Sequence, residues 1–343
     1  MKSNLFIRQL GEYFETFLPE IRTTSKNTIA AYGDSFSVFF QFLQDKKNMS
    51  HNLVTYKTFT PALFDEYLLW MKNERNYSPS SIKQRMTALS AFLKYASRRE
   101  MSAINAYSAA IGTETPTVVR KEFPYFTLEE MKILLRLPEP NNYLGNRDLV
   151  FLSFLYETGA RAQEICDVKV GDIRFSSTTR VRLHGKGNKD REVPISDGVV
   201  QLLKYHLKNT NAGKDTPLFL SQTNEKMTPA CVRSIVAKYV TRAKAENTAL
   251  FHEKGYSPHS FRHSKAVHMV ESGVALIYIR NFLGHSTITS TEVYARIGQS
   301  VVTKALTNRK IPQLTADVPE SEETKYSLPN FIKDTRKNYV RRF

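Results

Sequence analysis

A stretch without helical periodicity, residues 112–124, most constrains how this chain can fold. It runs GTETPTVVRKEFP and combines one glycine and two prolines with mostly polar residues. Clusters of this composition between periodic segments are typical of exposed connections. The sequence therefore predicts two domains, residues 1–111 and 125–310, joined by a linker over residues 112–124.

The first domain carries apolar residues at helical spacing. Its clearest helix covers residues 78–99, where Ser78 is a suitable N-cap and Pro79 fits the first turn. The apolar stripe of this helix contains Ile82, Met86, Leu89 and Ala96. We therefore expect an all-α N-terminal domain.

The second domain combines helices with a short β element. Thr127 and Glu130 have the spacing of a capping box at its first helix. Residues 181–183 and 192–195 flank the turn HGKGNKDR, whose glycines permit positive φ, so we expect a β-hairpin. Helices resume near Asp197, Pro229 and His259. The pattern predicts a mixed α+β domain with a small antiparallel sheet.

The charge of the chain favours a polyanionic partner. Its 49 Lys and Arg against 33 Asp and Glu give a net charge of +16, and both predicted domains are basic. The predicted helices at residues 78–99 and 229–244 contain no acidic residue, which suits a DNA backbone. Their expected DNA contacts are Lys83, Arg85, Lys94, Arg98, Arg233, Lys238 and Arg242. The alternative is that these are ordinary solvated helix faces.

Several classes of protein are disfavoured. No run of 18 apolar residues occurs, so we expect no transmembrane helix and no membrane partner. The N-terminus is broken by charges and does not resemble a secretory signal. Cys166 and Cys231 are too few for a disulfide framework, so we expect a cytoplasmic protein.

Two segments of the second domain carry basic residues suited to phosphate. Arg161 lies near the start of a predicted helix, where backbone N–H groups and the helix dipole favour anions. Glu164 is three residues further on and can hold the Arg161 side chain in place. Lys186 lies in the glycine-flanked hairpin turn. Taken singly, these features are equally those of a surface ion pair and an exposed basic turn.

Two later segments supply histidine, arginine and tyrosine. His259 and Arg262 are three residues apart on one face of a predicted helix. His285 follows Gly284, and Tyr294 is a usable nucleophile only if positive groups stabilise its anion. The histidines include no H-E-x-x-H motif and neither cysteine belongs to a C-x-x-C pair, so we expect no metal site.

The order and spacing of these residues resemble the tyrosine recombinase (phage integrase) family. The matching stretches are TGARAQEI, HGKGNKDREVPI, SPHSFRHS and LGHSTITSTEVYARI, and the resemblance is strong over residues 125–300. The segment YSPSSIKQRMTALSAFLKYA is similar to the family's core-site-binding domain. One departure is Ala160, where many members carry leucine; both residues are apolar.

The resemblance implies a reaction that breaks and rejoins DNA through a 3′-phosphotyrosyl link. Arg161 and Arg262 are then expected to bind the scissile phosphate, and His285 to donate a further hydrogen bond. Tyr294 would attack phosphorus, His259 would assist proton movement, and Lys186 would protonate the leaving 5′-hydroxyl. Resealing is the reverse reaction, so no ATP, metal or other cofactor is expected.

The resemblance also implies how the protein assembles. Members act as homo-tetramers on two DNA duplexes with inverted-repeat core sites, and they exchange a C-terminal segment between subunits. The tail over residues 311–343 begins with Ile311-Pro312, which stops a helix, and continues through an acidic stretch. Apolar residues return at helical spacing after residue 325, so residues 325–343 are the expected exchanged segment.

Alternatives remain open at this point. A type IB topoisomerase uses similar residues but works as a monomer, and a DNA-binding regulator could have lost catalysis. Within the family, the tail favours a mobile-element recombinase over a chromosome-dimer resolvase. Because the first helix begins by Leu5, we expect no additional arm-binding domain. The DNA site and any accessory proteins are not indicated by the sequence.

Overall fold

The structure is a computed structural model that describes residues 4–118, 123–185, 189–208, 212–284 and 294. The chain divides into two compact units, Met1–Glu122 and Phe123–Phe343. Within the described residues, no helix is long and apolar enough to cross a membrane.

The first unit is all-helical. Its helices are α1 (Leu5–Glu12), α2 (Lys26–Lys47), α3 (Pro61–Asn73), α4 (Pro79–Ser97) and α5 (Ser102–Gly112), and a π-helical segment, Tyr13–Ile21, continues α1. As predicted, Ser78 caps α4 by accepting a hydrogen bond from the Ser81 N–H, and Pro79 occupies the first turn. Helix α5 ends at Gly112, so the first position of the expected linker is helical.

Aromatic side chains fill the core of the first unit. Phe92 of α4 contacts Phe6, Tyr13 and Phe36 in edge-to-face geometry, with ring centroids 5.4 to 5.5 Å apart. Edge-to-face pairs add attraction beyond the burial of apolar area. The predicted stripe of α4 is buried at Ile82, Met86, Leu89 and Ala96. This packing fixes which side of α4 faces the core and which faces solvent.

The second unit is mostly helical, with one small sheet. Its helices are α6 (Leu128–Arg136), α7 (Tyr143–Thr158), α8 (Ala162–Asp167), α9 (Asp197–Lys208), α10 (Pro229–Glu246), α11 (Pro258–Glu271) and α12 (Leu276–Leu283). The capping box of Thr127 and Glu130 is present at α6. The predicted fold class, an all-α unit followed by a mixed α+β unit, is confirmed.

The sheet has three antiparallel strands in the order β1 (Ile173–Arg174), β2 (Arg180–Gly185) and β3 (Lys189–Pro194). The hairpin is longer than predicted, because the ladder continues through His184↔Asp190 to Gly185↔Lys189. The His184 Nδ1 and Asp190 Oδ1 atoms are 3.0 Å apart. This polar cross-strand pair stabilises the end of the hairpin, where the sequence has no alternating apolar residues. Strand β1 has only two residues and leaves no periodic signal in the sequence.

A buried carboxylate ties α7 to α10 and to a loop. Asp148 accepts hydrogen bonds from Arg147 Nη2 at 2.6 Å and from the Tyr239 hydroxyl at 2.9 Å. Arg147 also donates to the Leu220 carbonyl at 3.0 Å. Because Asp148 and Arg147 are both buried, loss of either would leave an uncompensated charge in the core.

Asp148→Ala is therefore expected to destabilise the second unit by about 3–5 kcal/mol. Urea unfolding followed by circular dichroism measures this loss. The matched control is Arg174→Ala, which breaks an exposed pair with Glu192 and should cost under about 1 kcal/mol. Equal losses in the two variants would contradict a structural role for the buried pair.

Candidate active site

The turn between α7 and α8 positions the first candidate residue, Arg161. Helix α7 ends at Thr158, and its C-cap residue Gly159 adopts a left-handed conformation (φ 55°). The positive φ favours glycine here, and a Cβ at residue 159 would also lie 3.1 Å from the Leu283 side chain, which would have to shift slightly. Arg161 is the N-cap of α8, and its side chain remains one-third exposed.

Glu164 holds Arg161 in the way the sequence predicted. Its Oε1 atom accepts from Arg161 Nη1 at 2.6 Å, and its Oε2 atom accepts from the Arg161 N–H at 2.9 Å. Burial alone would raise the pKa of Glu164, but the hydrogen bond and charge of Arg191 and the hydrogen bonds from Arg161 outweigh it and lower the pKa to about 2. Glu164 is therefore ionised at every pH at which the protein would be studied.

Arg191 was missed by sequence reasoning. It donates from Nη2 to Glu164 Oε2 at 2.8 Å and from Nε to the Phe282 carbonyl at 2.9 Å. The strand register gives the signal that could have revealed it. Arg191 is two residues before Val193, which is fully buried, so an arginine falls on the inner face of β3 and needs a partner there.

Arg262 lies on α11 with its guanidinium buried beside this network. It donates from Nη1 to the Gly159 carbonyl at 2.7 Å and from Nη2 to the Leu283 carbonyl at 2.6 Å. Burial lowers its pKa, and the positive charges of Arg161 and Arg191 lower it further. The two carbonyls fix the plane of the guanidinium without neutralising it, which leaves a preorganised positive charge.

His259 stands one turn before Arg262, near the start of α11. Ser257 is the N-cap of this helix, and Pro258 occupies its first turn. Partial desolvation lowers the pKa of His259, and the neighbouring charges of Arg262 and Arg161 lower it further. The imidazole is therefore neutral at pH 7, the state that can accept a proton.

Tyr294 is buried, with 2% of its surface exposed. Its hydroxyl lies 2.7 Å from His263 Nδ1, and Phe123 contacts both rings, with centroids 4.3 Å from His263 and 5.2 Å from Tyr294. Burial raises the pKa of Tyr294 to about 12, although the charges of Arg262 and Arg161 oppose this rise. The phenol is thus neutral and shielded in this conformation.

His263 and Phe123 are therefore additional members of the site. Sequence reasoning assigned no role to His263, because helical spacing from His259 does not indicate a tyrosine partner. The described residues bring together Arg161, Glu164, His259, Arg262 and Tyr294. Lys186, His285 and the tail at residues 311–343 lie outside the described residues. Within that described part, no cluster of three His, Cys, Asp or Glu could hold a metal ion.

Helix α4 separates its predicted DNA contacts onto two sides. Lys83, Lys94 and Arg98 are exposed and fall within about 60° of one another at 100° per residue. Arg85 lies on the other side, 4.1 Å above the Tyr77 ring, and donates to the Ser81 carbonyl. The solvent face of α4 therefore presents three of the four predicted cations, and Arg85 supports the helix N-terminus.

Helix α10 shows a similar division. Arg233 is exposed. Lys238 lies 3.3 Å from Asp148 Oδ2. Arg242 pairs with both Glu139 and Glu246, at 3.0 and 2.8 Å. These two predicted contacts already have carboxylate partners, so Arg233 is the more accessible of the three cations.

A helical unit followed by this mixed α+β unit is the fold of tyrosine recombinases. A solved XerH site-specific recombinase has a TM-score of 0.63 at 18% identity, over 86% of this chain and 83% of that chain. A Tn1549 transposon integrase has a TM-score of 0.61 at 18% identity, over 86% of this chain and 98% of that chain.

The profile of the phage integrase family matches residues 124–300, and that of the phage integrase N-terminal SAM-like domain matches residues 10–103. The chain belongs to the phage integrase family and is a tyrosine site-specific recombinase. Curated relatives include tyrosine recombinase XerD of Staphylococcus epidermidis, 27% identical over 86% of this chain and 96% of the relative. Another is XerC of Anoxybacillus flavithermus, 29% identical over 83% and 91%.

The geometry predicts that Glu164→Gln destabilises the protein by about 3–5 kcal/mol, because three guanidinium groups would lose their only buried counter-charge among the described residues. An anion should replace that charge, so the loss relative to wild type should be smaller in sodium sulfate than in sodium chloride of equal ionic strength. Urea unfolding in the two salts measures both effects.

Glu192→Gln is the matched control for Glu164→Gln, since Glu192 pairs with Arg174 at the surface. It should be nearly neutral in both salts. A Glu164→Gln loss that is identical in chloride and sulfate would contradict an anion-binding cluster of arginines.

Proposed function

We propose that the site cleaves and rejoins duplex DNA with Tyr294 as the nucleophile. The observation that carries the proposal is the convergence of Arg161, His259 and Arg262 on the surroundings of Tyr294. Two fixed guanidinium groups offset the charge that grows on the non-bridging phosphate oxygens in the transition state. His285, from its place in the matching motif, adds a hydrogen bond to the same phosphate.

The reaction exchanges one phosphodiester for another. The Tyr294 oxygen forms a bond to phosphorus while the bond from phosphorus to the 5′-oxygen breaks, which gives a 3′-phosphotyrosyl link and a free 5′-hydroxyl. His259 accepts the phenolic proton, and Lys186 supplies the proton taken up by the leaving oxygen. A 5′-hydroxyl from a second duplex reverses the step, so the bond energy is conserved without ATP.

The buried Tyr294 implies that DNA must change this conformation. A phenol that is hydrogen-bonded to His263 and covered by Phe123 cannot reach a phosphate in the groove of a duplex. Arg161 and Arg262 already favour the ionised phenol here, and a closer approach of the Tyr294 oxygen to them after release from His263 would lower the cost of ionisation further. Cleavage is therefore coupled to DNA binding.

Tyr294→Phe is expected to bind its DNA site with near-normal affinity and to form no covalent adduct, because only the hydroxyl is removed. A labelled suicide substrate resolved on a denaturing gel measures the adduct, and a band shift measures binding. The matched control is Tyr278→Phe, whose ring is on the exposed surface of α12. An adduct that persists in Tyr294→Phe would exclude it as the nucleophile.

Lys186→Ala is expected to slow cleavage by about a hundredfold or more on ordinary DNA. A 5′-bridging phosphorothiolate should restore most of the rate, because a thiolate leaves without being protonated. Single-turnover cleavage of the two substrates gives the comparison. If Lys189→Ala shows this rescue and Lys186→Ala does not, the general acid has been placed at the wrong position of the hairpin.

The biological role we propose is recombination of a mobile element in a bacterial cytoplasm, on the nucleoid. The Tn1549 transposon integrase supports this role, and XerD and XerC relatives equally support a chromosome-dimer resolvase. A XerH recombinase has been solved with its difH substrate, which supports a specific DNA site as the partner, and we propose inverted-repeat core sites for this chain. Sequencing DNA that is covalently trapped by the protein would separate an element end from a chromosomal resolution site.

Strand exchange between two marked duplexes tests the reaction class. A tetrameric recombinase gives a four-way junction and exchanged products. A type IB topoisomerase-like monomer gives adduct and relaxation without exchange, and a non-catalytic regulator gives neither.

The tail supplies a test of the proposed tetramer. Truncation at Pro312 would remove Leu328, Phe331, Ile332 and Phe343, each contributing at best about 1.5–3 kcal/mol on burial. Single-site DNA binding and the thermal transition should be unchanged, while cooperative two-site binding and recombination are lost. Band shifts on one-site and two-site DNA measure this. Unchanged cooperativity with a lowered melting temperature would contradict exchange of the tail.

A further inference from the structure

Arg191 is the one described side chain that joins the hairpin, the start of α8 and the end of α12. It lies on β3, it bonds Glu164 of α8 at 2.8 Å, and it bonds the Phe282 carbonyl of α12 at 2.9 Å. Its side chain is 9% exposed. A guanidinium so enclosed, and with both ends bonded, has little freedom to contact DNA itself.

The bond to Glu164 bears directly on the candidate phosphate ligand. Glu164 Oε2 is shared by Arg191 and the backbone of Arg161, while Oε1 receives the Arg161 guanidinium. The carboxylate therefore has a defined plane only as long as both arginines hold it. Rotation of this carboxylate would release the Arg161 guanidinium from its present orientation.

We propose that Arg191 is a positioning residue that sets the Arg161 guanidinium for the scissile phosphate by fixing Glu164. This inference rests on the proposed role of Arg161 as a phosphate ligand. Under this proposal, a residue of the hairpin supports phosphate binding although it does not itself touch the reacting atoms.

The surroundings of Arg191 indicate why a guanidinium group is required there. Its two hydrogen bonds point to acceptors on different helices. A planar guanidinium can donate to both at once, and a lysine ammonium can do so less well. Gly284 packs against it so closely that a Cβ at residue 284 would lie 3.0 Å from Arg191 Cδ. The space is shaped to the side chain that occupies it.

The test compares Arg191→Ala, Arg191→Lys and Arg161→Ala with wild type on the trapped DNA site. One substrate carries the ordinary scissile phosphate, and the other carries a methylphosphonate there. A methyl group in place of a non-bridging oxygen removes the charge that Arg161 would offset, so any variant that acts through Arg161 should lose less on this substrate. Single-turnover cleavage of the labelled strand is measured throughout.

We expect Arg191→Ala to cleave the ordinary phosphate about 10- to 100-fold more slowly, because a small misplacement of a positioning group can cost about a hundredfold in rate. Arg191→Lys should fall between Arg191→Ala and wild type. Both Arg161→Ala and Arg191→Ala should recover most of their loss on the methylphosphonate. The control Arg174→Ala, which removes an exposed arginine from the same sheet, should cleave both substrates at the wild-type rate.

A pH profile separates positioning from a general loss of structure. Without Arg191, Glu164 loses a hydrogen bond and a positive charge, so its carboxylate should protonate at a higher pH than in wild type. The acid side of the pH profile of cleavage by Arg191→Ala should therefore lie at a higher pH than that of wild type. Thermal unfolding of each variant identifies any that fail to fold, and Arg191→Lys then carries the comparison.

The outcomes distinguish the two levels of the hypothesis. If Arg161→Ala recovers on the methylphosphonate and the Arg191 variants do not, the positioning role is overturned while Arg161 keeps its own. If the Arg191 variants recover only on a 5′-bridging phosphorothiolate, Arg191 acts on the leaving group and the proposal is also overturned. If Arg161→Ala itself shows no recovery, the proposed phosphate ligand is wrong.

Discussion

The buried Glu164 carboxylate is the interaction on which the second unit's site depends. Arg161, Arg191 and Arg262 bring three positive charges near one another, and like charges in a partly desolvated site repel strongly. Glu164 bonds two of these arginines, and backbone carbonyls hold the third. The carboxylate therefore reduces the repulsion among the three arginines in the free protein. The cluster keeps a net positive charge, which suits a phosphate.

This balance also explains why the backbone around the site is so constrained. The Gly159 carbonyl and the Leu283 carbonyl are both acceptors for Arg262, and Gly159 and Gly284 take left-handed conformations that end α7 and α12. A helix end has unpaired carbonyls, and here they serve buried guanidinium groups. The two helix ends are thus part of the electrostatics of the site as well as of its geometry.

Much of this arrangement could be predicted from the sequence, and the rest depends on contacts that local patterns do not record. Caps such as Ser78 and the Thr127–Glu130 box follow from residue type and spacing, because their partners are three residues away. Arg161 and Glu164 were paired for the same reason. Arg191 and His263 were missed because their partners are 27 and 31 residues distant along the chain.

The basic composition overstates how many cations are available to DNA. Affinity gained by counterion release depends on the phosphates that are neutralised, and a cation that already pairs with a carboxylate must give up that partner first. Arg242 would have to exchange Glu139 and Glu246 for a phosphate, and Arg85 would have to leave the Tyr77 ring. Lys83, Lys94 and Arg98 are exposed on one side of α4, so they can reach a phosphate without first breaking such a contact. Under the proposed function, these three cations can meet DNA phosphates without giving up a carboxylate, and the buried charge of the second unit acts on the phosphate that reacts.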